Sequence, residues 1–146
     1  ENMLHAAYKA GIAFSMSYVG YVHAIAHSLG GQYGVPHGLA NAVILPYVLE
    51  AYGESAHKKL HQLGVAAGVC DATDSDAEGA AKFIAAIKEL NTSMNIPTKI
   101  NGIKRDDIAH LAHAAEREAN PLYPVPKLMT ERELAALYEE IADWNE

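Results

Sequence analysis

Three histidines, His23, His27 and His37, fall within fifteen residues of one another. Neutral imidazole ligates transition metals and also exchanges protons near neutral pH, so such a group could hold an ion, shuttle a proton, or both. His23 and His27 are four residues apart, which on a helix places them on one face with Cβ atoms ~5–6 Å apart. Gly20 and Gly30 share roughly that face, where ordinary packing would want methyl groups, so a ligand is expected to fill the space they leave. His37 follows Pro36, a residue suited to the first turn of a helix, and precedes the apolar run Leu39, Ala40, Val43, Ile44 and Leu45. The dipole at that helix end disfavours an imidazolium, and the neutral ring is the form that binds metal. One buried histidine alone is ordinarily a hydrogen-bonded core residue. Three together, flanked by glycines, read as a metal cleft. Spacing alone leaves open which of His23 and His27 is a ligand. The pairs His57/His61 and His110/His113 sit among Lys, Glu and Arg and read as solvated; His5 has no partner and no assigned role.

The elements that must carry these residues are helical. Half of the 146 residues are hydrophobic, enough for one compact domain without disulfides, and Cys70 is the only cysteine. No window alternates β-branched residues with period two, whereas Ala, Leu, Glu and Lys recur throughout. Helices are expected near 2–15, 18–29, 38–53, 55–68, 76–94, 105–118 and 131–144, giving an all-α domain of about seven helices. Ser75 with Glu78, and Thr130 with Glu133, have the spacing of capping boxes. Pro97 stops the helix before it, Asn101-Gly102 marks a turn, and the proline-rich stretch Asn120–Lys127 reads as a stiff extended connector.

From Ala10 to Leu49 there is no Asp, Glu, Lys or Arg. That run is long enough to raise a membrane span, but its histidines, Gln32, Asn41, serines and Gly30-Gly31 would be costly in lipid, so it reads as a core built around a site. A net charge of −7 argues against nucleic acid. No glycine-rich phosphate loop follows a strand, so no dinucleotide site of that kind is expected within these residues. The opening at Glu1, already in a helical pattern and with no leader, is expected of a piece of a longer chain. The lone cysteine fits a reducing, cytoplasmic setting.

Two metal chemistries compete for the histidines. A zinc hydrolase of the His-Glu-x-x-His type would need a glutamate at position 24 and, in its extended form, a histidine at position 33; Ala24 and Tyr33 stand there, so no base activates water. A dehydrogenase uses the metal as a Lewis acid and needs no adjacent carboxylate. The run from Gly20 to His27, then Leu29-Gly30-Gly31, Tyr33-Gly34, Pro36-His37-Gly38 and Asn41-Ala42, resembles the signature of iron-containing (group III) alcohol dehydrogenases. Glu1–Leu4, Ala10–Ser15 and Ile44–Val48 are similar to that family as well, with weaker likeness through Gly64-Val65, Ile96-Pro97 and Asn120-Pro121.

The resemblance implies that residues 1–146 form the single helical, C-terminal metal-binding domain shared by dehydroquinate-synthase-like proteins and these dehydrogenases. It implies a site of one Asp and three His, with His23 and His37 as two of the histidines. The remaining Asp and His would lie upstream, together with a missing N-terminal dinucleotide-binding domain. His27 is implied to line the cleft near nicotinamide and substrate as a catalytic, proton-shuttling group, with Gly30 beside it on the cofactor side. Fe(II), or Zn(II) in its place, and NAD(P) are the implied cofactors. A small primary alcohol or diol and its aldehyde are the implied substrates, interconverted by metal-assisted hydride transfer. The isolated piece is expected to be inactive and to associate, with itself or with the missing half, through apolar surface around residues 10–49. The alternative is a non-enzymatic helical interaction module whose histidines are only structural.

Overall fold

The computed structural model describes residues 1–144. Seven α-helices follow one another: α1 Asn2–Ser17, α2 Tyr21–Tyr33, α3 His37–Tyr52, α4 Glu54–Ala67, α5 Asp76–Ser93, α6 Ile108–Ala119 and α7 Glu131–Ile141, with a 3-10 turn at Arg105–Asp107 leading into α6. The all-α expectation is met, and no strand forms among the described residues; Ile100 and Ala142 make one isolated bridge. Both capping boxes form, at Ser75/Glu78 and Thr130/Glu133, each side-chain oxygen accepting from the backbone N–H three residues on. They fix the starts of α5 and α7 by satisfying otherwise orphaned donors.

α2 lies at the centre, packed on α3 and on α6. Tyr21, Ala24, Ile25 and Leu29 recur at helical spacing and are fully buried, while His23 and His27 fall on the adjoining, more open face. α3 runs on with Val43, Ile44 and Val48 in the core despite Pro46 in its interior. Proline lacks the N–H that would bond the Ala42 carbonyl. Asn91 of α5 fills that role, its Nδ2 donating to Ala42 O at 2.8 Å, so the defect becomes a tie between helices. Tyr21 holds the connector after α6: its hydroxyl accepts from Met129 N–H at 2.8 Å and donates to Asn120 Oδ1. Tyr138 of α7 likewise reaches Ser28 of α2 and donates to the Leu111 carbonyl of α6.

The start of α6 and the end of α7 each fall three residues inside the sequence expectation, and both ends of α2 differ from it as well. α2 begins three residues later, because extended Gly20 is its N-cap, and runs through Gly30-Gly31 to Tyr33. The turn that ends it is Gly34, in the left-handed region at φ 67°, whose N–H bonds back to Gly30 O. The last turn survives two glycines because Tyr33 is anchored from outside, its hydroxyl donating to Asp107 at 2.6 Å and accepting from Lys104 N–H.

Bare apolar surface is narrower than expected and lies earlier. α2 and α3 are largely covered by the other helices, whereas α1 has no buried residue and exposes Met3, Leu4, Tyr8, Ile12, Phe14 and Met16. No described helix is long and apolar enough to cross a membrane.

Candidate metal and proton-transfer site

The two-residue link after Gly34 is so short that the chain doubles back and the first residue of α3 meets the face of α2 that carries the histidine pair. Pro36 is the N-cap and His37 the first helical residue. The rings of His23 and His37 lie 5.3 Å apart, those of His27 and His37 also 5.3 Å and nearly parallel, and those of His23 and His27 5.8 Å at a steep angle. A separation of this size is spanned by two bonds of ~2.1 Å to a shared ion once the ring radii are added. The His23 ring is held below the ordinary imidazole pKa, first by partial burial and then by the neighbouring His37 and His27. It is therefore neutral, as a ligand must be. A nitrogen donor set of this kind suits iron or zinc.

Each of the other two rings has a polar neighbour. Asn41, one turn after His37, places Nδ2 at 2.9 Å from His37 Nε2 and at 3.1 Å from the His37 carbonyl. Its Oδ1 is buried with no hydrogen-bond partner among the described residues, an orphaned acceptor beside the ring cluster. Glu118, near the end of α6, places Oε1 at 2.7 Å from His27 Nδ1 and also accepts from Tyr123 Oη at 2.8 Å. That contact pushes the Tyr123 hydroxyl above its ordinary pKa, after the larger effect of burial.

Gly20 and Gly30 act differently from the sequence expectation. A Cβ on Gly20 would meet Tyr52 Oη at 3.4 Å and Val125 at 3.5 Å, so Gly20 permits close packing and opens no cleft. Gly30 faces the Val35 carbonyl at 3.6 Å. The open positions in this stretch are Gly31, Gly34 and Gly38, beside which no described atom lies within 4 Å.

The remaining histidines divide. His110 and His113 are exposed, as expected, and His57 is half-buried. His113, Glu116 and Glu131 bring donor atoms within 4.8 Å of one another, but at the surface, where His113 Nδ1 already pairs with Glu131 at 3.0 Å. His61, expected in solvent, is buried at 9% exposure. Its Nδ1 bonds Asp76 at 2.9 Å and its Nε2 the Asp71 carbonyl at 3.0 Å.

The family model described as the Fe-containing alcohol dehydrogenase family, C-terminal, matches residues 1–142. This chain belongs to that family. It is 37% identical to 1,3-propanediol dehydrogenase of Klebsiella pneumoniae over 96% of its own length and 36% of the relative's. It is 35% identical to lactaldehyde reductase of Escherichia coli over 79% of its length and 31% of the relative's. The solved alcohol dehydrogenase from Oenococcus oeni superposes with a TM-score of 0.82 at 32% identity, covering 90% of this chain and 35% of that one. The chain thus spans about a third of the length of the curated relatives it matches. For a chain of the iron-containing family, the histidine cluster is where a metal would be sought first. Sequence reasoning missed Asn41, although its four-residue spacing from His37 was a visible signal, and Glu118 and Tyr123, for which no signal existed.

Proposed function

We propose that this chain is the helical, metal-bearing domain of an iron-dependent, NAD(P)-linked dehydrogenase that interconverts a small primary alcohol or diol and its aldehyde. The observation that carries the reading is the convergence of the His23 and His37 rings at 5.3 Å with His27 against both, in a chain of the iron-containing family. Its relatives named for propanediol and lactaldehyde support short, oxygenated substrates. His23 and His37 are the residues that would hold the ion, with zinc as the substitute metal. Bound iron would supply Lewis-acid polarisation of the substrate oxygen. His27 takes up and releases the hydroxyl proton, the role imidazole commonly has in general acid–base catalysis. Gly31 and Gly38 have open space beside them, and Gly30 is assigned with His27 to the cofactor side.

The rest of the site, including a dinucleotide-binding domain and two further ligands, belongs to upstream sequence, and the exposed apolar face of α1 is where that sequence packs. Without it, residues 1–146 form one helical domain that binds metal weakly, turns over no alcohol and self-associates through α1. The single thiol, Cys70, is consistent with a reducing compartment and supports a cytoplasmic assignment.

The test is metal content and NAD(P)-linked alcohol oxidation in the whole enzyme bearing His23→Ala or His37→Ala. Each variant is expected to lose about 100-fold or more in iron affinity with its helix content unchanged. Full iron occupancy in both would end the metal reading and leave the histidines with a packing role.

A further inference from the structure

The mate of His27 comes from the far end of the chain. Glu118 is 91 positions downstream, on α6, and its Oε1 sits 2.7 Å from His27 Nδ1. A carboxylate at that distance can only accept, so the bond requires a proton on Nδ1. The same Oε1 accepts from Tyr123 Oη at 2.8 Å, which pins the carboxylate from its other side. Tyr123 is in turn held by its own N–H on the Ala119 carbonyl at 2.8 Å and by Val125 N–H on its carbonyl at 2.9 Å. The Glu118 side chain is one-third exposed and that of His27 nearly half, so the pair lies at the mouth of the ring cluster and not beneath it.

We infer that Glu118, braced by Tyr123, is a positioning residue that locks the His27 imidazole as its Nδ1–H tautomer and leaves Nε2 as the one nitrogen available to a substrate proton. The inference deepens the proposed dehydrogenase reading and rests on it for its catalytic consequence. In water a neutral histidine prefers the proton on Nε2, which would turn a donor where an acceptor is needed. A neighbouring acceptor for Nδ1–H reverses that preference, because the hydrogen bond made by one nitrogen sets the role of the other. It also fixes the rotation of the ring, so that His27 stays stacked on His37 with 17° between planes. Glu118 touches no reacting atom in this arrangement. It acts through His27 alone.

Two measurements separate the parts of the inference. Nitrogen-15 NMR of the His27 ring in this chain, well above the ordinary imidazole pKa of about 6.5, reads the tautomer directly, with no substrate or cofactor. The expected result is Nδ1–H in the parent chain and in Glu118→Gln, whose amide oxygen still accepts, and Nε2–H in Glu118→Ala. Nε2–H in the parent, or an unchanged tautomer in Glu118→Ala, overturns the inference. In the whole enzyme, with 1-propanol and NAD+ or NADP+ as probes, Glu118→Ala is expected to lower kcat about 10- to 100-fold with KM and iron content little changed, and Glu118→Gln to recover most of it. A parent that turns over while Glu118→Ala matches it would also overturn the proposal. If no form turns over any alcohol, the dehydrogenase reading fails instead, and the tautomer measurement still decides the role of Glu118.

Discussion

Two helices of this protein carry a His-x-x-x-His pair, and they put it to opposite uses. On α2, the rings of His23 and His27 face each other and His37, and of these three only His27 has a carboxylate partner among the described residues, on one nitrogen. On α4, His61 is enclosed between a carboxylate and a carbonyl that occupy both of its nitrogens, and Gly79 of α5 lies against its ring. The residue types and spacing are the same. What differs is the number of nitrogens left over once local packing has been satisfied. An imidazole bonded on both sides to acceptors must carry both protons and has no lone pair to offer, so it is a bolt between helices. An imidazole with one nitrogen free can bind or exchange, so it is a functional group.

The comparison predicts a double dissociation. Its largest effect is on the α2 side, where the alanine variants at His23 and His37 should each weaken iron binding about 100-fold or more without touching the fold. On the α4 side the order reverses. A Cβ on Gly79 would lie 2.2 Å from His61 Cδ2 and 2.5 Å from Cγ, and no rotation of the ring relieves contact with both. Gly79→Ala should therefore cost about 3 kcal/mol and lower the melting temperature by roughly 8 °C, with metal content of the whole enzyme unchanged. A Gly79→Ala chain that melts with the parent would show that His61 is not clamped between α4 and α5. A smaller loss is expected at the edge of the same contact. Ser75 caps α5 immediately before Asp76, the residue that holds His61, and Ser75→Ala should cost about 1 kcal/mol by denaturant titration, again with no effect on metal.

The same contrast explains what could be read from the sequence. Capping boxes, the turn at Asn101-Gly102 and the apolar periodicity of α6 and α7 are local, so the seven helices were legible from residues a few positions apart. The convergence of His23, His27 and His37 was legible for the same reason: a helical turn joins the first two, and a short link at Gly34 brings in the third. Glu118 was not, because its place beside His27 depends on how α6 packs on α2, and no spacing rule spans 91 residues. His61 was misread because its neighbours Lys58, Lys59 and Gln62 are polar and exposed. The deciding residue is Gly79 on another helix, whose missing side chain makes the room. Gly20 was misread in the opposite direction, since the volume it gives up is filled by Tyr52 and Val125 and not by a ligand.

The gentlest perturbation acts on His61 without removing an atom. Its pKa is raised above 6.5, first by the hydrogen bond to the Asp71 carbonyl and next by that to Asp76, with Asp74 adding to the effect and burial opposing it. The charged groups around it are Asp71 and Asp74 from the loop, Asp76 at the start of α5, and Lys82, whose ammonium is neutralised by Asp74 at 2.7 Å. Because the folded value lies above the unfolded one, the stabilisation is fully present below pH 6.5 and is lost as pH rises through the raised folded value. His23 contributes with the opposite sign, since its folded pKa is lowered and its share is lost as pH falls. The parent melting curve alone therefore mixes two slopes. Subtracting the pH profile of His61→Ala from that of the parent removes the His23 contribution, and the difference should shrink steadily as the solution is made alkaline. A difference that stays flat across that range would mean that folding does not raise the His61 pKa, so that the ring is neutral in the fold once the solution is above the ordinary imidazole value. One of its two hydrogen bonds would then lack a proton, and the bolt reading of α4 would lose its basis.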